Sequence, residues 1–158
     1  MSVVIFPGSF DPFTSGHADL ARRACGVFDR VIIAVAEHNY KDSMFSLDER
    51  MSFAREAVSG LANCEVIAYN TLTVKLAKEL GASAILRGLR GVSDCEYEFQ
   101  VASANKYLDD SIETVFMMAD PRTAFVSSSA VKQMAAAGGR ISGLVSTKVE
   151  EAILAKCL

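Results

Sequence analysis

The chain has 158 residues, 51% of them hydrophobic, which suffices for one domain (1–158) with a sizeable core but not for two ordinary ones. A net charge of −3 excludes the broad cationic surface that grips nucleic acid or an anionic membrane. Cys25, Cys64, Cys95 and Cys157 form no Cys-x-x-Cys pair and accompany no histidine cluster, so they read as thiols of a reducing compartment rather than zinc ligands or disulfides.

The first apolar run, residues 3–6, reads as a buried strand. It is followed by Gly8-Ser9-Phe10-Asp11-Pro12-Phe13-Thr14-Ser15-Gly16-His17 and then by helical period, with Leu20, Ala21, Ala24 and Phe28 on one face. A glycine-punctuated turn joining a strand to a helix start offers unpaired backbone N–H groups and the positive end of a helix dipole, which together hold phosphate. A helix beginning near Gly16 places His17 in its first turn, where an imidazole donates to an anion. Ser9 reads as a turn hydroxyl, and Asp11 and Pro12 as turn-shaping residues.

Residues 31–36 read as the second strand, and the loop after it carries His38 and Lys41, which by themselves look like solvated surface groups. Ser46 and Glu49 have capping-box spacing for the next helix. A third strand, 65–69, precedes Thr73, an ordinary turn or cap hydroxyl. The fourth, 84–86, runs directly into Arg87-Gly88-Leu89-Arg90. Two guanidinium forks leaving a strand end suit phosphate oxygens, or pair with Asp94, Glu96 or Glu98. Ser93 and Glu96 repeat the capping spacing, and Glu98 lies one turn beyond Asp94 on the same helix face.

A fifth strand, 114–118, is followed by Ser127-Ser128-Ser129 ahead of a helical segment, 130–137, that Gly138-Gly139 ends. One serine caps the helix; three in a row suggest a second phosphate cradle. Thr147 and Glu150 mark the last helix. Alternating βα units with strands apolar on both faces predict a Rossmann-like, doubly wound, five-stranded parallel sheet with helices on both sides. Ligands of such sheets bind beyond the carboxyl ends of the strands, where every motif above falls. The N-terminus has no secretory leader pattern and no stretch approaches roughly 18 consecutive apolar residues, so a cytoplasmic location is expected.

Thr14-Ser15-Gly16-His17 resembles the T/HxGH signature of the nucleotidyltransferases. With Lys41 ahead of Met44-Phe45, the block RGLRGVSDCEYEFQ from Arg87 to Gln100, and Val126-Ser127-Ser128-Ser129-Ala130-Val131-Lys132, the chain resembles the bacterial phosphopantetheine adenylyltransferase family from end to end. That resemblance implies transfer of the adenylyl group of ATP to 4′-phosphopantetheine, giving dephospho-coenzyme A and pyrophosphate by in-line attack without a covalent enzyme intermediate. It implies that His17, Lys41 and Arg90 are catalytic, and that Ser9, Lys41, Thr73 and Arg87 meet the phosphopantetheine. It assigns to ATP the residues Ser9, Phe10, His17, Gly88, Leu89, Arg90, Glu98, Thr123, Ala124, Phe125, Val126, Ser127, Ser128 and Ser129. It further implies Mg²⁺ accompanying ATP without a dedicated protein ligand, a homo-hexamer, and feedback inhibition by coenzyme A.

The chain departs from the family pattern at Asp42-Ser43, where relatives often carry a second lysine and a proline, and at Lys132, which stands for arginine. Two other readings are a different small-molecule nucleotidyltransferase, acting on nicotinamide mononucleotide or transferring a cytidylyl group, and a non-catalytic nucleotide-sensing module. The RGLRGVSDCEYEFQ block weighs against the first, and the presence of His17, Lys41, Arg87 and Arg90 against the second.

Overall fold

The computed structural model describes residues 1–38 and 42–157. Five parallel strands, β1 (Val3–Gly8), β2 (Arg30–Ala36), β3 (Cys64–Tyr69), β4 (Ala84–Leu89) and β5 (Glu113–Met118), form one sheet in the order β3-β2-β1-β4-β5. The helices are α1 (Ser15–Cys25), α2 (Leu47–Val58), α3 (Thr73–Glu79), α4 (Val92–Leu108), α5 (Ser128–Ala136) and α6 (Thr147–Cys157). This is the predicted Rossmann-like α/β fold.

The side chains of the central strands alternate between two cores, as the pleat requires. Val4, Phe6, Val31, Ile33, Val35 and Leu86 face one layer, where Leu20, Ala21 and Ala24 of α1, Met51, Phe53 and Ala54 of α2, Val131 of α5 and Ile153 of α6 meet them. Val3, Ile5, Ile32, Ala34 and Ile85 face the other, covered by Val74, Leu76 and Ala77 of α3. Ile5, Ile32 and Ile85 are essentially inaccessible to solvent, and such a side chain stabilises the fold by about 1.5–3 kcal/mol. Among the described residues, no helix is long and apolar enough to cross a membrane.

Helix starts follow local chemistry only in part. Ser46 caps α2 as its spacing predicts, accepting from Glu49 N (3.2 Å) while Ser46 N donates to Glu49 Oε2 (2.8 Å). The Ser93–Glu96 box does not form. Asp94 Oδ2 accepts from both the backbone N and the Nε of Arg90, and α4 starts earlier, after Gly91, with no side-chain cap. At α6 the cap is one residue upstream of the predicted Thr147: Ser146 Oγ accepts from Val149 N at 3.3 Å. β4 is three residues longer than expected, because Arg87, Gly88 and Leu89 pair with Phe116, Met117 and Met118 of β5. Arg87 therefore lies within a strand rather than after one.

β2 and β3 lie on one side of β1, and β4 and β5 on the other. The chain thus reverses its direction of winding between β1 and β4, and a crevice opens above their carboxyl ends. α1 reaches that crevice by packing against Gly88, where an added Cβ would stand 2.5 Å from Leu20 Cδ1. Gly88→Ala is therefore expected to destabilise the protein by about 1–3 kcal/mol. Trimming Leu20 to alanine in the same chain should recover part of that loss, read as non-additivity in a denaturant-unfolding cycle. Strict additivity would show that this contact does not set the spacing.

Candidate active site

The site begins where the chain leaves β1. Phe10 adopts a left-handed backbone (φ 49°), which costs a bulky residue about 1–3 kcal/mol. Burial holds it there: its ring packs edge-on to Phe6 (centroids 5.3 Å apart) and against Phe13 (5.2 Å). The ring also lies so close over Gly8 that a Cβ there would come within 3.1 Å of it. The turn leaves the backbone N–H groups of Ser9 and Phe10 without a partner among the described residues, and both residues line the cleft.

Thr14 caps α1 and shares a capping box with His17, an imidazole standing where Glu or Gln is usual. Thr14 N donates to His17 Nδ1 at 3.0 Å. Nδ1 is thereby an acceptor, so the neutral ring carries its proton on Nε2, which becomes its donor. Part of the residue faces the cleft, but the ring is packed among Phe10 (5.0 Å), Phe13 (5.2 Å) and Phe6 (6.3 Å). Burial, with the positive charges of Arg90 and Arg87 adding to it, lowers its pKa to about 3.

Arg87 meets Glu98 in a two-point ion pair, Nε to Oε2 at 2.7 Å and Nη2 to Oε1 at 2.8 Å, and Nη1 donates to Pro7 O at 3.1 Å. Burial pulls the Arg87 pKa down, but the hydrogen bonds and charge of Glu98 outweigh it and leave the guanidinium above its ordinary value. Arg90 pairs with Asp94 at 3.1 Å and stays half-exposed at the rim. Both alternatives open in the sequence are therefore compatible: the arginines pair with acids and also face the cleft.

At α5, Ser127 Oγ caps the helix by accepting from Ala130 N (3.0 Å), while Ser128 Oγ donates to Pro12 O (2.8 Å) and ties this helix to the first turn. The N–H groups of Ser128 and Ser129 have no partner among the described residues. Two helix N-termini thus meet at one cleft of about 290 Å³.

Of the residues singled out in the sequence, Ser9, Phe10, His17, Arg87, Gly88, Arg90, Glu98, Thr123, Val126, Ser127, Ser128 and Ser129 line that cleft. Leu89, Ala124, Phe125 and Thr73 are not among its lining residues. Leu89 is buried and Phe125 faces solvent, and Thr73 opens α3 beyond the carboxyl end of β3. Lys41 lies outside the described residues.

Sequence reasoning gave Asp11 only a turn-shaping part and passed over Arg50. Asp11 is buried, and its carboxylate accepts from Met44 N (2.9 Å), Phe45 N (2.9 Å) and Lys132 Nζ (2.9 Å). Lys132, which holds the basic position of the serine-rich motif, is thus spent on Asp11. Arg50 is equally buried, with Nη1 donating to Ser9 O and to Ala36 O at 2.8 Å each. A detectable signal existed: Arg50 falls on the stripe of Leu47, Met51 and Ala54 that helical period turns toward the core.

A parallel α/β sheet whose switch-point crevice gathers an imidazole donor, two guanidiniums and two helix N-termini defines a nucleotide-binding domain built for phosphate chemistry. Residues 5–134 match the cytidylyltransferase-like family. The chain is 45% identical over 156 residues to a phosphopantetheine adenylyltransferase of Limosilactobacillus fermentum, spanning 99% of this chain and 90% of that one. It is 49% identical over 152 residues to that of Methylococcus capsulatus (96% and 94%). The fold is shared with a candidate nicotinate-nucleotide adenylyltransferase from Vibrio parahaemolyticus, with TM-score 0.73, 16% identity, and 99% and 94% of the two chains covered. The chain belongs to the cytidylyltransferase-like family, and within it to the phosphopantetheine adenylyltransferases.

The His17 environment predicts an acid-sensitive fold. Its pKa is about 3 when folded against 6.5 ordinarily, so between those values the unfolded chain binds the extra proton. Stability is then complete above pH 6.5 and falls as the pH drops, by at most about 1.4 kcal/mol per unit. Denaturant unfolding of wild type and His17→Gln between pH 6.5 and 5 should show the steeper slope only in the wild type. Parallel slopes would mean that the imidazole titrates normally.

Proposed function

We propose that this enzyme binds ATP and 4′-phosphopantetheine together in the cleft and transfers the adenylyl group between them. The observation that carries this reading is the meeting of His17, Arg87, Arg90 and two helix N-termini at one crevice, in a chain nearly half identical to phosphopantetheine adenylyltransferases.

The acceptor is a phosphate monoester, already largely ionised at neutral pH, so no general base is needed. Its oxygen attacks the α-phosphorus of ATP in line; the P–O bond to the β-phosphate breaks, the electron pair leaves with pyrophosphate, and dephospho-coenzyme A remains. No side chain becomes covalently attached. Catalysis consists of holding two mutually repelling anions in line and stabilising charge on the α-phosphoryl oxygens. His17 serves as a neutral donor through Nε2–H, and its low pKa keeps it from acting as an acid of variable charge. The N–H groups of Ser9, Phe10, Ser128 and Ser129 hold the triphosphate. Arg90 and, by the family resemblance, Lys41 neutralise it from the rim, while Arg87 and Thr73 serve the phosphopantetheine.

Mg²⁺ enters as the companion of the triphosphate, whose charge it offsets. The cleft offers it little of its own: Glu98, its buried carboxylate, is engaged by Arg87 through both oxygens, and no group of three or more acidic, His or Cys side chains among the described residues is placed to hold a metal. No step is assigned to it. Coenzyme A shares both the pantetheine arm and the adenylate of the product, which supports feedback inhibition by occupancy of this same cleft. The homo-hexamer is what the family resemblance implies; association of copies in general is supported by α4, a 17-residue helix that buries only Glu98 and exposes Val92, Tyr97, Phe99, Tyr107 and Leu108. The cysteines are all free, which fits a reducing, ATP-rich cytoplasm.

Pyrophosphate release from ATP is expected with phosphopantetheine as acceptor. Release with nicotinamide mononucleotide instead would redirect the assignment, and ATP binding without turnover on any acceptor would favour the sensing module. In the active enzyme, His17→Ala should lower kcat by about 10²–10³ while leaving the Kd for ATP within a few fold. An unchanged kcat would remove His17 from the mechanism.

A further inference from the structure

We infer that Arg50, which does not line the cleft, is a positioning residue that aims the Phe10 N–H at the triphosphate; this rests on the function proposed above. Arg50 is 2% exposed and spends its guanidinium on backbone carbonyls: Nη1 on Ser9 O and Ala36 O (2.8 Å each) and Nε on Phe45 O (3.3 Å), with Nη2 3.5 Å from Glu37 O. It makes no direct ion pair among the described residues. The counter-charge comes through space from Asp11, itself held by Lys132.

The geometry of a trans peptide gives the Ser9 contact its meaning. The Ser9 carbonyl and the Phe10 N–H belong to one planar unit and point in opposite directions. Fixing the carbonyl on a buried guanidinium turns the N–H the other way, toward the cleft that Ser9 and Phe10 line, and that N–H has no partner among the described residues. The left-handed φ of Phe10 (49°) needs such an external hold, since an unconstrained bulky residue relaxes out of that region. Arg50, Asp11 and Lys132 also leave one net positive charge behind the turn. A lysine cannot reproduce this arrangement, because its single ammonium lacks the planar fork that reaches separate carbonyls at once.

The test is Arg50→Lys, assayed well below its melting temperature. We expect at least a tenfold rise in KM for ATP with KM for phosphopantetheine within twofold. A merely structural role would lower the melting temperature and leave both KM values in place, and that result overturns the inference. Should Arg50→Lys fail to fold, amide NMR of the wild-type enzyme titrated with ATP decides. A shift of the Phe10 amide among the largest supports the aim; an unmoved Phe10 amide beside shifting amides of Ser128 and Ser129 overturns it. Wild-type turnover with an unchanged ATP KM in Arg50→Lys defeats this inference alone, whereas a wild-type enzyme that neither binds nor turns over ATP defeats the proposed function with it.

Discussion

Asp11 carries a carboxylate into the interior, a placement that costs several kcal/mol unless donors meet it. Three do: the N–H groups of Met44 and Phe45, and the ammonium of Lys132. These donors come from the segment that opens α2 and from α5, while Asp11 belongs to the turn after β1. One buried charge therefore joins three parts of the chain that are distant in sequence. Without it, the first turn and the second helix N-terminus would each still form locally but would be joined less firmly. Ser128 Oγ on Pro12 O strengthens the same junction with a neutral bond, worth only about 0.5–1.5 kcal/mol net.

The electrostatics of the cleft follow from what surrounds His17. Three phenylalanine rings remove water from the imidazole, and two guanidiniums nearby make a further positive charge unfavourable. The ring is thus fixed as a neutral donor of known tautomer, while permanent positive charge is left to arginine, which does not deprotonate. Positive charge and neutral hydrogen-bond donation fall to different residues. The Arg87–Glu98 pair keeps a buried cation compensated before any phosphate arrives.

Much of this was legible in the chain because it is written in local pattern. Apolar runs marked all five strands, the Ser46–Glu49 box marked α2, and the residues that meet at the cleft had already drawn notice as groups standing at strand ends. What escaped notice depends on contacts far apart in sequence. Arg87, Gly88 and Leu89 do not look like a strand until β5 is beside them. Ser93 has the spacing of a cap, but Asp94 turns to Arg90 and the helix begins earlier. Asp11 and Arg50 look like an ordinary turn residue and an ordinary helix charge, because their partners lie 33 and 41 residues away.

The close fit of Leu20 over Gly88 has a bearing on robustness. Leu20 stands three residues beyond His17 on α1, hence on the same side of the helix. The seating of the imidazole above the sheet therefore involves an apolar contact, Leu20 in the room left by a residue without a side chain, and such a contact carries no charge for dissolved salt to screen. Ionic strength will weaken the ion pairs around the rim, while the contact between helix and strand does not depend on charge.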